Sequence, residues 1–149
     1  MKIIKGNIWD FHSQGKWVII TTNGIIDRNN KAVMGVGVAL EAATKFPNIP
    51  SKLAEKIKQK GNLPFLFLDE QIITLPVKND WKEKADLHLL ETSIAILSEA
   101  QKILEIRGYT DNIYMVWPGC GAGGRTKKEV RPILEKYLSD KFIVCELKK

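Results

Sequence analysis

Residues 112–124 read NIYMVWPGCGAGG and join a predicted strand to a loop that is dense in glycine. The first six of these residues are mostly apolar and are typical of a buried strand. Pro118 to Gly124 then holds four glycines in seven residues, whereas average usage is about 7%. Such a backbone adopts conformations and close approaches that side chains forbid. Because a predicted helix follows, we interpret the loop as a binding site for a diphosphate or similar anion, with a purely structural turn as the alternative.

Five further apolar runs predict strands. They are Lys2 to Ile8, Trp17 to Thr22, Phe65 to Leu68, Ile72 to Leu75 and Lys141 to Leu147. The third and fourth of these runs are joined only by Asp69-Glu70-Gln71, which is too short for a crossover helix. This pair therefore predicts an antiparallel hairpin.

Helical patterns lie between these strands. They cover Val36 to Phe46, Ser51 to Lys60 and Asp86 to Arg107. A fourth helix has two possible starts. Thr126 to Glu129 has the form of a capping box, but Pro132 would then lie inside the helix and remove a hydrogen bond, so a start near Arg131 is the alternative. The alternation predicts an α/β fold with a mixed sheet covered by helices on both faces.

The composition fits one domain over residues 1–149, with 44% hydrophobic and 27% charged residues. A chain of this length buries enough surface to fold without disulfides or a structural metal. Its two cysteines and two histidines show no metal-ligand spacing. Apolar runs stay well short of a membrane span, and the start lacks the apolar core of a signal peptide. We expect a cytoplasmic monomer without metal, cofactor or membrane partner, and the net charge of +6 favours an anionic partner.

Three other segments each have a functional interpretation and a purely structural one. Met34 to Leu40 has a Gly-x-Gly at a helix start, which is as common for packing as for ligand binding. Asn23 can hold a sugar hydroxyl, although the Asn-Gly pair is also a strong turn signal. Lys78 follows a strand end, where most lysines are solvated, but a desolvated amine becomes a nucleophile. Cys120 as a catalytic thiol is disfavoured, because a small residue in a tight loop explains it.

Four segments, in this order and spacing, resemble the macrodomain family over essentially the whole chain. They are Gly6-Asn7-Ile8, Thr22-Asn23-Gly24, Met34 to Leu40 and Pro118 to Gly124. Leu75 to Trp81 and Arg131 to Leu134 are also similar to the branch of the DNA ADP-ribosyl glycohydrolase antitoxins and the terminal ADP-ribose protein glycohydrolase. The resemblance implies a three-layer α/β/α macrodomain with a six-stranded mixed sheet and a cleft for ADP-ribose.

The resemblance also implies roles for individual residues. The turn at Gly6, Asn7 and Ile8 would approach adenine, and Asn23 would hold the distal ribose. The segments that would line the diphosphate or complete the ADP-ribose site are Gly35, Val36 and Gly37 on one side, and Gly119, Cys120, Gly121, Ala122, Gly123, Gly124 and Arg125 on the other. Lys78 matches a lysine implicated in attack on the anomeric carbon of the distal ribose.

Two positions depart from the family pattern. Many macrodomains have Asp at the position of Asn7, and the terminal ADP-ribose glycohydrolase has an acidic residue where this chain has Gly123-Gly124-Arg125. Asp80 and Asp27 are candidates to replace that acid. The resemblance nevertheless implies a hydrolase that removes ADP-ribose from nucleic acid or protein through Lys78 and Asn23.

Two alternatives use the same cleft: a phosphatase of ADP-ribose 1″-phosphate, and a module that binds ADP-ribose without chemistry. Lys127, Lys128 and Arg131 follow the glycine loop and favour a conjugate on nucleic acid, because they would meet neighbouring phosphates.

Overall fold

Strands and helices alternate along the chain in the computed structural model, which describes residues 1–148. In chain order the elements are β1 (Lys2–Lys5), α1 (Ile8–His12), β2 (Trp17–Thr22), α2 (Gly37–Lys45), α3 (Ile49–Lys60), β3 (Phe65–Phe67), β4 (Ile72–Pro76), α4 (Leu87–Ile106), β5 (Ile113–Met115), α5 (Lys127–Tyr137) and β6 (Phe142–Glu146). The predicted α/β class is confirmed.

The six strands found within residues 1–148 form one sheet in the order β1-β6-β5-β2-β4-β3. Neighbouring strands are parallel except for β3 and β4, which are antiparallel with Phe65 opposite Thr74. The mixed sheet and its hairpin are therefore as predicted. Because β2, β4 and β5 are neighbours and run in one direction, the loops that follow them lie at the same edge of the sheet.

Each face of the sheet packs against its own group of helices. Alternate residues of β2 point to opposite faces: Trp17 and Ile19 join one core cluster, whereas Val18 and Ile20 join the other. The first cluster contains the buried faces of α4 and α5, and the second contains those of α1, α2 and α3. The result is the expected three-layer α/β/α arrangement.

The predicted strand from Lys2 to Ile8 is wrong beyond Lys5. Ile8 instead begins the short helix α1, because the Asn7 side chain accepts a hydrogen bond from the Trp9 N–H at 2.9 Å and caps the helix. Helix α1 has only five residues, which are too few to show a helical period. Ile8 therefore reads as the last apolar residue of the preceding strand.

The other boundaries differ by a few residues. Of the two possible starts of the last helix, the capping box is the one used: α5 begins at Lys127, and Thr126 and Glu129 cap each other's backbone. Pro132 lies inside the helix. Helix α3 begins at Ile49, two residues earlier than predicted, with Pro50 in its first turn where no N–H is required. Among the helices of residues 1–148, none has the length and apolarity to cross a membrane.

Candidate functional site

Three loops meet at the carboxyl edge of the central strands. The loop after β2 bonds to the loop after β4 through the Gly24 N–H and the Asn79 carbonyl oxygen, 3.1 Å apart. The loop after β4 bonds in turn to the loop after β5 through the Ala85 N–H and the Gly123 carbonyl oxygen, 2.8 Å apart. Backbone bonds of this kind hold the three loops as one surface.

Lys78 lies where these loops converge. Its side chain is only 9% exposed. The Nζ atom donates to the carbonyl oxygen of Trp81 at 3.3 Å and to that of Ala122, in the glycine loop, at 3.2 Å. Among residues 1–148 no carboxylate forms an ion pair with this amine. The structure therefore brings together Lys78, the backbone of Trp81 and the glycine loop.

The glycines of the loop after β5 differ in what they do. A Cβ atom at Gly123 would lie 2.5 Å from the Gly119 carbonyl oxygen, so the crossing of the loop on itself requires glycine there. Gly121 has neither a positive φ nor any atom within 4 Å of an added Cβ. Nothing among residues 1–148 therefore requires glycine at position 121.

Backbone donors of this loop face outward. Within the part of the chain that the structure describes, no acceptor pairs with the N–H groups of Gly121 and Ala122, and both residues are exposed. Successive backbone N–H groups in a turn form a concavity that binds anions. The loop thus has the donors that a phosphate group needs.

The N-terminus of α2 offers a second set of donors. Its N-cap is Val36, which is 61% exposed and makes no capping hydrogen bond. By contrast, Asn7, Asp86 and Thr126 cap α1, α4 and α5 with their side chains. The first turn of a helix leaves unpaired N–H groups and a partial positive charge, and valine is among the poorest residues at this position. An anion would supply the missing cap.

Comparison with known proteins gives structures but no sequence match. No protein-family model matches the chain, and no curated protein does. The structure of Thermosipho africanus DarTG in complex with ADP-ribose superposes with a TM-score of 0.77 and 19% identity, over 98% of this chain and 41% of that chain. The macrodomain of Thermus aquaticus DarG gives 0.70 and 22% over 99% and 97%, and that of Mycobacterium tuberculosis DarG gives 0.70 and 19% over 90% and 89%.

The chain has the macrodomain fold. The resemblance stated from the sequence motifs is confirmed at the level of the fold by these structures. The chain spans about two fifths of the length of the Thermosipho chain and nearly all of the Thermus macrodomain.

Asn23 of the macrodomain holds the loop that leads to α2. Its Nδ2 donates to the Val33 carbonyl oxygen at 3.0 Å, and its Oδ1 accepts from the Ile25 N–H at 2.9 Å. One amide N–H is left for a ligand. The turn and the ligand interpretations of Asn23 are therefore compatible, because different atoms of the same amide serve them.

The turn after β1, at Gly6 and Asn7, has an exposed side-chain amide that can donate hydrogen bonds. Asn7 is exposed, and its amide oxygen is occupied by the cap of α1, so the NH₂ group faces outward. Gly6 donates its N–H to the Glu146 carbonyl oxygen at 2.8 Å, and Ile8 is buried. This turn lies beside the end of β6, two strands away from β2 in the sheet.

Arg125 is part of the scaffold of the glycine loop. Its Nε donates to the Ala85 carbonyl oxygen at 2.6 Å, and its guanidinium contacts the Glu129 carboxylate at 3.3 Å. The bond from the Thr126 N–H lowers the pKa of Glu129 below its usual value, so this carboxylate is charged at neutral pH. These partners hold Arg125 against the loop that the sequence assigned to phosphate.

The remaining polar candidates are bonded locally. Asp27 and Asp80 each accept backbone N–H groups within their own turns. Burial raises the pKa of the Cys120 thiol above its usual value, which favours the unreactive protonated form. Among residues 1–148, no group of three His, Cys, Asp or Glu side chains is placed to hold a metal ion.

Two features beside the glycine loop carry no local signal in the sequence. Asn62 donates its amide to the Lys78 carbonyl oxygen at 3.0 Å, although no motif surrounds it. The exposed Lys84 packs its stem near Gly124. Of the three cations expected to meet phosphates, Lys127 and Arg131 form ion pairs with Glu146 and Glu135, and Lys128 is exposed.

Proposed function

We propose that this macrodomain binds ADP-ribose and hydrolyses an ADP-ribose conjugate with Lys78 as the nucleophile. The observation that carries the proposal is the Lys78 amine, 3.2 Å from the Ala122 carbonyl oxygen in a loop with unpaired backbone donors. A diphosphate on those donors would leave the distal ribose within reach of a single buried amine. The similarity to a DarTG structure that contains ADP-ribose supports the same ligand.

The contacts of Lys78 suit an attacking amine. Two acceptors hold its Nζ atom in one place: the carbonyl oxygen of Trp81 at 3.3 Å and that of Ala122 at 3.2 Å. Attack on C1″ of the distal ribose forms the C–N bond and breaks the bond to the acceptor, which leaves with a proton. The ring then opens as the C1″–O4″ bond breaks and the nitrogen proton passes to O4″, which leaves an imine between Lys78 and C1″. Water hydrolyses this imine to the aldehyde of ADP-ribose and restores the amine.

Binding and orientation come from the rest of the site. The N-terminus of α2 and the N–H groups of Gly121 and Ala122 would neutralise the diphosphate without a metal ion. The free amide N–H of Asn23 would donate to a ribose hydroxyl. Holding both ends of the ligand places C1″ against one amine, which converts a bimolecular encounter into a positioned reaction.

The first test is calorimetric titration with ADP-ribose, with ADP and AMP as controls, followed by turnover of conjugates. We expect Lys78→Ala to lower turnover on the order of 10³-fold or more, because only binding contributions remain after a nucleophile is lost. Its affinity for ADP-ribose should stay near that of the wild type. Lys60→Ala, at an exposed lysine in the last turn of α3, is the matched control. Wild-type turnover by Lys78→Ala would refute the nucleophile.

A second candidate is a module that binds ADP-ribose without chemistry. The observation that favours it is the local bonding of Asp27 and Asp80, which leaves Lys78 without a paired acid among the described residues. Tight ADP-ribose binding with no product from conjugates of DNA, of protein or of 1″-phosphate would establish this candidate. Phosphate release at equal rates by the wild type and Lys78→Ala would instead indicate the phosphatase.

We propose a nucleic-acid acceptor, because exposed lysines flank the loop that would hold the diphosphate. Lys82 and Lys84 lie on the segment that packs against the glycine loop, and the net charge is +6. Each phosphate that a lysine neutralises adds about −0.7 to the slope of log affinity against log salt for a single strand. The slope should be steeper for an ADP-ribosylated oligonucleotide than for ADP-ribose, and shallower again in Lys82→Ala/Lys84→Ala. Equal slopes for both ligands would contradict this acceptor.

A further inference from the structure

Asn62 joins three segments of the site through one side-chain amide. It follows α3, and its Nδ2 donates to the Lys78 carbonyl oxygen at 3.0 Å and to the Asn79 Oδ1 at 3.1 Å. The same amide packs on Gly24: a Cβ there would lie 2.9 Å from Nδ2. The loops after β2 and β4 therefore close on a residue that belongs to neither.

The two peptide groups on either side of Lys78 have different partners. The Asp86 N–H bonds to the Val77 carbonyl oxygen at 2.9 Å and holds the peptide group on the amino side. Within residues 1–148, the donor to the Lys78 carbonyl oxygen, on the carboxyl side, is the amide of Asn62. The direction in which the lysine side chain leaves the backbone depends on both peptide groups, and Asn62 holds the second of them.

We propose that Asn62 is a positioning residue for Lys78, an inference that rests on the proposed function. Its amide fixes the peptide group of Lys78, and this fixes the starting point from which Nζ reaches the carbonyl oxygens of Trp81 and Ala122. Without the amide the peptide group rotates more freely, and the amine spends less time in line with the reacting carbon. Misplacement by about 1 Å costs on the order of 10²-fold in rate.

Two variants of Asn62 test the proposal. Asn62→Asp keeps the shape but replaces the NH₂ donor with oxygen, which repels the Lys78 carbonyl and the Asn79 Oδ1. Asn62→Ala removes the amide without adding repulsion. We expect kcat to fall about 10- to 100-fold in both, with the dissociation constant for ADP-ribose within about threefold of wild type. Asn48→Ala, an exposed asparagine that makes no capping bond at the other end of α3, is the matched control.

A second measurement follows the amine directly. Free ADP-ribose opens to an aldehyde at C1″, which condenses with an amine to an imine and releases water. Cyanoborohydride delivers hydride to that imine and leaves a stable secondary amine, whose position peptide mass mapping identifies. We expect the rate of trapping at Lys78 to fall with kcat in the Asn62 variants, while the rate at the exposed Lys60 stays constant.

The outcomes separate this inference from the proposed function. Wild-type kcat and trapping in Asn62→Asp, together with an inactive Lys78→Ala, would overturn the positioning role and leave the nucleophile in place. Full turnover by Lys78→Ala would overturn the proposed function and the positioning role with it. A fall in kcat and in Lys78 trapping with ADP-ribose affinity preserved supports both.

Discussion

Gly121 and Gly123 are two residues apart, yet the loop needs them for different reasons. Gly123 crosses the backbone of Gly119 so closely that a methyl group would overlap its carbonyl oxygen and carbon. Gly121 faces open space. The fold of the loop requires glycine at position 123, whereas it leaves room for a larger residue at position 121.

This difference predicts opposite phenotypes for one chemical change. Gly123→Ala should lower the free energy of unfolding by about 1–3 kcal/mol through overpacking. Gly121→Ala should leave stability unchanged or raise it by up to about 1 kcal/mol, because alanine restricts the unfolded chain. It should nevertheless weaken ADP-ribose binding about tenfold, or about 1.4 kcal/mol, since the methyl group occupies the approach to the N–H donors. Urea unfolding and calorimetric titration of both variants measure this, and an unaltered affinity in Gly121→Ala would argue against a ligand at that point.

Residue types and local spacing predicted the glycine loop and singled out Lys78, because unusual composition and strand ends are local signals. They did not place the amine against Ala122, 44 residues further along the chain. That contact depends on β5, β2 and β4 being neighbours, which chain order does not give. Asn62 was missed for the same reason: its partners lie on other loops, and an asparagine after a helix is ordinary in sequence.

At the scale of elements, α2 and α3 are the two helices within residues 1–148 whose N-cap residues make no side-chain capping bond, and α2 has an exposed valine at that position where α3 has an asparagine. The backbone of Val36 is already extended, with φ −144° and ψ 157°, which is the conformation of an N-cap. Its side chain is largely exposed. The N-cap residue of α2 therefore has the backbone geometry of a cap but supplies no side-chain cap.

Supplying that cap should stabilise the protein and weaken the binding of ADP-ribose. Val36→Asp is expected to raise the free energy of unfolding by about 1 kcal/mol, because a carboxylate caps the helix and complements its dipole. The same carboxylate would occupy the place of the diphosphate and repel it, so ADP-ribose affinity should fall. Thermal melting and titration report the two effects. Val36→Ala, which lacks an oxygen, is the control. An ADP-ribose affinity of Val36→Asp equal to that of the wild type would contradict a diphosphate site at the N-terminus of α2.

The elements themselves were mostly predictable. The predicted strand Trp17 to Thr22 coincides with β2, and the three-residue connection was enough to predict the β3–β4 hairpin. Helix α1 was not predicted because five residues carry no readable period, although Asn7 is a good capping residue. The start of α5 could not be decided from the sequence, since a capping box and an internal proline give opposite signals.

At the scale of the whole molecule, the two core clusters lie on the faces of the sheet, and the loops of the site lie beyond its edge. Cys145 of β6 belongs to one of these clusters and is 4% exposed. Burial raises the pKa of its thiol from 9.0 to about 11. The core thus contains a thiol that loses its proton at a lower pH in the unfolded chain than in the folded chain.

Stability should therefore fall in alkali. Between about pH 9 and pH 11 the unfolded chain has released the thiol proton that the folded chain still holds, so rising pH favours unfolding. In Cys145→Ala, the free energy of unfolding should decline less steeply with pH over this range than in the wild type. Near neutral pH the two curves of unfolding free energy against pH should run parallel. Burial also raises the pKa of Tyr109, which adds a decline of the same sign in both proteins. Urea unfolding at a series of pH values is the measurement, and identical slopes would contradict a titrating Cys145.

The chain has four tryptophans, and their placement has a spectroscopic consequence. Trp9, Trp17 and Trp117 are at least nine-tenths buried, whereas Trp81 is half exposed and its carbonyl oxygen accepts the Lys78 amine. A water-soluble quencher such as iodide therefore reaches mainly one indole, which belongs to a residue whose backbone holds the Lys78 amine. The quenchable part of the intrinsic fluorescence of the unmodified protein thus reports on the segment around Lys78 without a dye or a label.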